Sequence, residues 1–206
     1  MAELTTQRPE SHPAVDDAEA DDVLTELLLD WLAELPGDYK AEIVDDEIHI
    51  MSPTGDLPSR AALRVVLSLA AEEARLGGRV YTDNVGYLVL RPVRRSFSPD
   101  VSFHFGARAG GRSAMDYIAG APAFAVEVRS KSDYGPRAES RLARKRADYF
   151  AAGTRVVWDV DLLGDDTVRV HRADAPEAPT VVRRGETADA EPAVPGWRFP
   201  VDELFA

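Results

Sequence analysis

Cysteine is absent from the 206-residue chain, which excludes a disulfide framework, a thiolate metal site and a cysteine nucleophile. Long apolar runs are missing too. The best of them, Val23 to Ala33, carries Glu26 and Asp30 and falls far short of the ~20 residues that a membrane span needs. Residues Met1 to Pro9 show no basic region followed by an apolar stretch, so no secretory signal is expected, and the protein is read as cytoplasmic with no membrane partner. There is no phosphate-binding glycine loop, no paired-histidine metalloprotease motif and no nucleophile elbow. His12, His49, His104 and His171 are scattered, and each reads better as a strand or tail residue than as a ligand. Lysine is scarce: Lys40, Lys131 and Lys145 are the three among 24 basic side chains. Chemistry must therefore rest on carboxylates and these few lysines.

The length suits one domain with an appendage. A formal net charge of -12 argues at first against a nucleic-acid partner, because phosphates repel an acidic surface. The distribution alters that reading. Residues 1–50 hold 2 basic and 15 acidic side chains, whereas residues 51–206 hold 22 and 21. The remainder is nearly neutral, with locally basic stretches at 91–112 and 127–146. Residues 1–21 are acidic, Pro-containing and without periodicity, and are expected to form a disordered tail suited to a basic partner surface.

The domain is expected over 22–206, with an N-terminal helix in 22–36 and a core in 40–206. Val23, Leu27, Leu28, Trp31 and Leu32 recur at helical spacing until Pro36-Gly37. Glu42 to Ile50 alternates around Asp45-Asp46 as a β-hairpin. A long helix follows from Pro58 to Leu76, stopped by Gly77-Gly78. Strands are expected at 79–82, 87–90, 100–105, 124–128 and 156–160, with weaker ones at 167–172 and 180–183. Gly110 to Gly120 reads as an irregular connection, and Pro136 to Ala152 as a helix with proline in its first turn. The order is mixed α/β with a strand–helix–strand unit at 124–160.

Glu127 lies inside the apolar strand Phe124-Ala125-Val126-Glu127-Val128, where a carboxylate is costly to ionise unless a cation or donors meet it. The alternatives are a strand end reaching solvent, or a pair with Arg129, two residues on and on the same face. Asp100 opens a strand directly after Ser98-Pro99, where proline holds the next side chain in a defined direction. Asp after Pro also suits an ordinary turn. Together, two carboxylates on neighbouring strands can hold a hard divalent ion through oxygen. Lys145 shares the edge of its helix with Leu142 and Tyr149, and either points at those carboxylates or lays its stem on the core and turns outward. Arg137, Arg141, Arg144 and Arg146 form a solvated face or a track for phosphates.

Ser98-Pro99-Asp100, Val126-Glu127-Val128-Arg129-Ser130, Lys145, Tyr149, Ala152-Gly153 and Val156-Val157-Trp158-Asp159-Val160-Asp161 together resemble the Uma family of restriction-endonuclease-like proteins, placed in the PD-(D/E)XK nuclease superfamily. The hairpin at 42–48 with Met51-Ser52-Pro53, and Val194-Pro195-Gly196-Trp197 with Asp202-Glu203-Leu204-Phe205, extend the resemblance over about 40–206. It implies an α/β restriction-endonuclease-like fold, a mixed β-sheet core flanked by helices. It further implies Asp100 and Glu127 as ligands of Mg²⁺, or Mn²⁺, Lys145 in place of the superfamily's lysine, and Glu42 as an additional acidic site residue. The substrate implied is DNA, and related nucleases often dimerise. Arg129 stands where the superfamily lysine normally sits; it and Arg141 are expected to grip phosphate, since a guanidinium cannot act as a base. Asp46 replaces an expected glycine, and an expected histidine is replaced near Pro58. The acidic balance and the missing histidine favour the rival reading, a non-catalytic DNA- or protein-binding module. Asp100, Glu127 and Lys145 together favour an endonuclease.

Overall fold

The computed structural model describes residues 23, 27, 30–32, 34, 40–44, 47–89, 95–106 and 117–206. The chain divides into two compact units, Met1–Glu34 and Leu35–Ala206. In the first, residues 23, 27 and 30–32 are helical, and Val23, Leu27 and Trp31 are exposed. The acidic tail expected over 1–21 lies outside the described residues. The unit boundary falls between Glu34 and Leu35; the expected domain began at residue 22.

The second unit opens with a hairpin, β1 (Ala41–Val44) and β2 (Glu47–Ile50), paired antiparallel from Ala41 opposite Ile50 to Val44 opposite Glu47. The expected Asp45-Asp46 turn lies outside the described residues. Helix α1 (Asp56–Ala70) follows, then the single turn α2 (Glu73–Leu76). One continuous helix was expected here; instead the chain breaks after Ala70. Gly77 ends the turn in the left-handed region at φ 70°, and a Cβ on Gly78 would lie 2.1 Å from the Phe103 ring. Glycine is thus required at both positions for separate reasons.

Six strands form the main sheet: β3 (Gly78–Thr82), β6 (Val101–Phe105), β8 (Phe124–Val128), β9 (Val156–Asp161), β10 (Thr167–Arg172) and β11 (Ala175–Arg183). Their order is β11-β10-β9-β8-β6-β3. Within this sheet only β8 and β9 pair parallel, and helix α3 (Pro136–Ala151) connects them. A smaller sheet joins β5 (Arg95–Phe97), β4 (Tyr87–Val89) and β7 (Ile118–Ala119), and β12 (Thr187–Asp189) pairs with β13 (Arg198–Pro200). A 3₁₀ turn, Val201–Phe205, closes the chain. The expected irregular Gly110–Gly120 connection thus contains β7; its residues 110–116 lie outside the described set.

Strand alternation sorts the core into two layers. Phe124, Val126 and Val128 join Ala61, Val65 and Leu69 of α1, Trp158 and Trp197 in one cluster. Ala125 and Val157 join Tyr149 of α3, Tyr87 and Phe97 in the other. Glu127 follows Ala125 in the two-residue period and therefore faces α3. All six residues of β9 are buried, including Asp159 and Asp161.

Asp161 tolerates burial because donors surround it. Gly164 N–H (2.7 Å), Leu163 N–H (3.2 Å) and Tyr134 O–H (2.9 Å) all donate to its Oδ1. Burial alone would raise its pKa, but the backbone donors and Tyr134 hold it below the ordinary value of 3.8. That stabilisation is present above 3.8 and is lost as the pH falls through the lower folded-state value. Asp161→Ala is expected to cost about 1–3 kcal/mol at pH 7, with a smaller gap at pH 3. Urea unfolding at both pH values checks this; an equal gap at the two would contradict it.

Candidate active site

Glu127, Asp100, Glu42 and Lys145 meet on the α3 side of the sheet, and each arrives by a different element. Val126 C=O accepts from Asp100 N–H (3.1 Å), and Asp100 Oδ2 accepts from Val128 N–H (2.7 Å). The loop before β6 is thereby fastened to β8 on both sides of Glu127. Glu42 comes from β1, which is tied across to β5: Ile43 N–H donates to Ser96 Oγ, and Ser98 N–H donates to Glu42 Oε1, both at 2.8 Å. Lys145 reaches down from α3. Its ammonium lies 2.8 Å from Glu127 Oε2 and 3.0 Å from Glu42 Oε1. Tyr149, one turn further along the helix, donates to Glu127 Oε1 at 2.7 Å and stacks on Phe97 with ring centroids 4.3 Å apart. Lys145 therefore takes the inward of its two alternatives.

The electrostatics follow from burial. Burial pushes Glu127 up to about 7, with Asp100 and Glu42 adding to the rise and Lys145 opposing it. Asp100 is also raised by burial, against the pull of Lys40 and the Val128 N–H. Lys145 behaves oppositely: burial alone would lower it, but Glu127 and Glu42 hold its ammonium well above the ordinary lysine range. At neutral pH it is a fixed cation rather than a proton acceptor. The Tyr149 hydroxyl is driven far up by burial and the adjacent Glu127, so it remains a donor.

Arg129 and Arg141 stand elsewhere. Arg129 lies between the sheet and α3, but its partners are Asp159 and Glu139 rather than Glu127. Nε donates to Asp159 Oδ1 at 2.6 Å and Nη2 to Asp159 Oδ2 at 2.8 Å, while Nη1 and Nη2 meet the Glu139 carboxylate. With its side chain 2% exposed, Arg129 offers no face to a phosphate. The phosphate contact expected of it is corrected to a buried ion pair joining β8, β9 and α3. Arg141 is exposed on α3 and donates to Asp133 Oδ1 at 2.8 Å, beside the turn that leads into the helix.

Two further site residues escape the sequence reading. Tyr149 occurs in the family-like motif without an assigned role, and Lys40 stands out only by lysine's rarity. The Lys40 ammonium pairs with Asp83 and lies 3.6 Å from Asp100 Oδ1. Among the described residues no group of three or more His, Asp or Glu side chains forms a cage for a metal ion. The donor set nevertheless fits a hard divalent cation, which needs only one or two carboxylates when water and substrate oxygens complete its shell. Both Glu127 oxygens accept one hydrogen bond each and keep a further lone pair. Four carboxylates, Glu42, Asp83, Asp100 and Glu127, share this site with two ammonium groups, Lys40 and Lys145.

A mixed sheet with α1 and α3 on opposite faces, and a carboxylate–lysine cluster under α3, define a mixed α/β protein with its candidate site on one face of the sheet. A solved structure from Anabaena variabilis, described as "a putative nuclease belonging to DUF820", shares this fold with a TM-score of 0.67 at 18% identity, covering 86% of this chain and 96% of its own. The chain belongs to the Uma2 family, described as "Putative restriction endonuclease", whose model matches residues 25–202. No curated protein matches it. Among the described residues no helix is long and apolar enough to cross a membrane.

Proposed function

We propose that the chain is a divalent-metal-dependent nuclease that hydrolyses phosphodiester bonds of DNA. The observation that carries this reading is the contact of Lys145 with both Glu127 and Glu42, beside an Asp100 fastened to the same strand. Asp100 and Glu127 would hold Mg²⁺ or Mn²⁺, which supplies Lewis acidity and charge neutralisation at a phosphate. Family membership and the shared nuclease fold support the reaction class.

The chain's own residues divide the remaining work. Lys145, protonated throughout the neutral range, supplies positive charge for the negative charge that builds on phosphorus oxygens in the transition state. Glu42 steadies that ammonium, and its own carboxylate is steadied by Ser98 N–H. Tyr149 limits rotation of Glu127 from one oxygen while Lys145 limits it from the other. Val128 N–H fixes Asp100 Oδ2 and leaves Oδ1 facing the Lys40 ammonium. Arg141, exposed on α3, would steady a phosphate of the bound strand on leaving Asp133.

Supercoiled plasmid and single-stranded DNA, incubated with the protein and Mg²⁺ or Mn²⁺, test the reading. Cleavage that EDTA abolishes is expected, and absence of metal-dependent cleavage on both substrates would sink it. Tyr149→Phe deletes one hydroxyl and keeps the stack on Phe97. It is expected to lower the rate about 10–100-fold, the usual effect of losing an outer partner of a metal-binding carboxylate. A wild-type rate in that variant would show that Tyr149 only packs.

A further inference from the structure

Two of the chain's three lysines converge on one set of carboxylates, although arginine supplies most of its positive charge. Lys145 serves Glu127 and Glu42; Lys40 serves Asp83 and Asp100. The two oxygens of Asp100 are not equivalent. Oδ2 is committed to Val128 N–H, and Oδ1 faces the Lys40 ammonium at 3.6 Å. That separation is too long for a hydrogen bond, so the contact is an ion pair that can be displaced. The Asp83 contact is the closer one, and Asp83 is itself held by its turn: Asn84 N–H donates to Asp83 Oδ1 at 3.1 Å, with Asn84 in the left-handed region at φ 77°. The Lys40 side chain is 15% exposed, against 45% for Asp83, so Lys40 is shielded from water at the inner end of the pair.

We propose that Lys40 and a divalent cation compete for Asp100 Oδ1, and that Asp83 is the seat that holds Lys40 back from that oxygen. The pair thereby sets the cation affinity of the site. The inference rests on the metal-dependent reading above and adds to it a residue that opposes the metal. An ion taking Oδ1 meets an ammonium within a few ångströms, and that repulsion stays limited only while Asp83 keeps hold of Lys40. The two members of the pair therefore have opposite effects. Lys40→Met removes the competitor and is expected to tighten Mn²⁺ binding roughly tenfold or more, as expected when a single positive charge leaves the neighbourhood of a double one in a water-like environment. Asp83→Asn removes the seat, leaves Lys40 to Asp100 alone, and is expected to weaken Mn²⁺ binding several-fold.

The test is a Mn²⁺ titration of the full chain without DNA, with free Mn²⁺ followed by electron paramagnetic resonance and folding checked by circular dichroism. Tighter binding by Lys40→Met together with weaker binding by Asp83→Asn supports the proposal. If Lys40→Met misfolds, Lys40→Gln carries the same expectation. Wild type binding Mn²⁺ while the Lys40 variants bind it no tighter overturns the competition and leaves the metal-dependent reading standing. Absence of binding to wild type and variants alike overturns both. Weaker binding and lower melting temperatures in both variants would show a purely structural ion pair, which also overturns it.

Discussion

Lys145→Met is expected to reduce DNA cleavage about 10²–10³-fold, the size of effect seen when one preorganised donor to transition-state charge is lost, while the protein stays folded. The loss follows from Lys145 being the cation shared by Glu127 and Glu42. Methionine keeps the length and apolar stem of lysine but offers no charge. Folding survives because burial has already pushed Glu127 up to about 7; without the ammonium it can take up a proton and stay buried as a neutral acid. Tyr149 still donates to it. The measurement is the initial rate of plasmid nicking beside a thermal melt of the same preparation. A variant that melts as wild type and cuts as fast would show that Lys145 only fills space.

Arg129→Met should have the opposite profile, with a large cost in stability. Its guanidinium is nearly inaccessible and holds Asp159, itself 2% exposed as a side chain, by two donors. Breaking a buried pair by removing one partner costs about 3–5 kcal/mol, because the surviving charge is left without compensation. Here Arg146, 3.2 Å from Asp159 Oδ2, retains part of that compensation, which favours the lower end of the range. Urea unfolding of wild type and variant measures the difference. A cost below about 1 kcal/mol, the level of an exposed ion pair, would contradict this account of the core. Arg129→Lys is expected to recover only part of the loss, because one ammonium cannot match a bidentate fork.

The two arginine expectations show where reading a sequence stops. Arg129 lies two residues beyond Glu127 and on the same side of the sheet, as the alternation implies. Its partner was misjudged because Asp159 is 30 residues away and comes alongside only when β9 lies parallel to β8. Glu127 itself was legible, since a carboxylate in an otherwise apolar strand advertises an unusual neighbour. Lys145 was legible only as one of two orientations, and the contacts with Glu127 and Glu42 decide between them. Lys40 could not be placed at all: its contacts with Asp83 and Asp100 span 43 and 60 positions, and no local pattern encodes them.

The fold divides in the same way. Long periodic segments, such as α3 and the Val-rich β8 and β9, carry their own signal and lie close to the expected positions. Short ones do not. Arg95-Ser96-Phe97 has three residues and no intrinsic reason to be a strand; it pairs with β4 and holds β1 through Ser96. Yet that segment and the adjoining Ser98 fasten the strand carrying Glu42. The geometry of the site thus depends on pieces of chain too short to be recognised alone.

The function proposed for this carboxylate–lysine cluster is cleavage of phosphodiester bonds. Its most direct test compares the rate at which wild type and Glu127→Gln convert supercoiled plasmid to nicked circles in Mg²⁺, using folded protein of equal purity. Gln keeps the size of the side chain and removes the charge that would hold the metal. Mg²⁺-dependent nicking by wild type is expected, with a loss of at least about 10²-fold in the variant. Equal rates for the two proteins would contradict it.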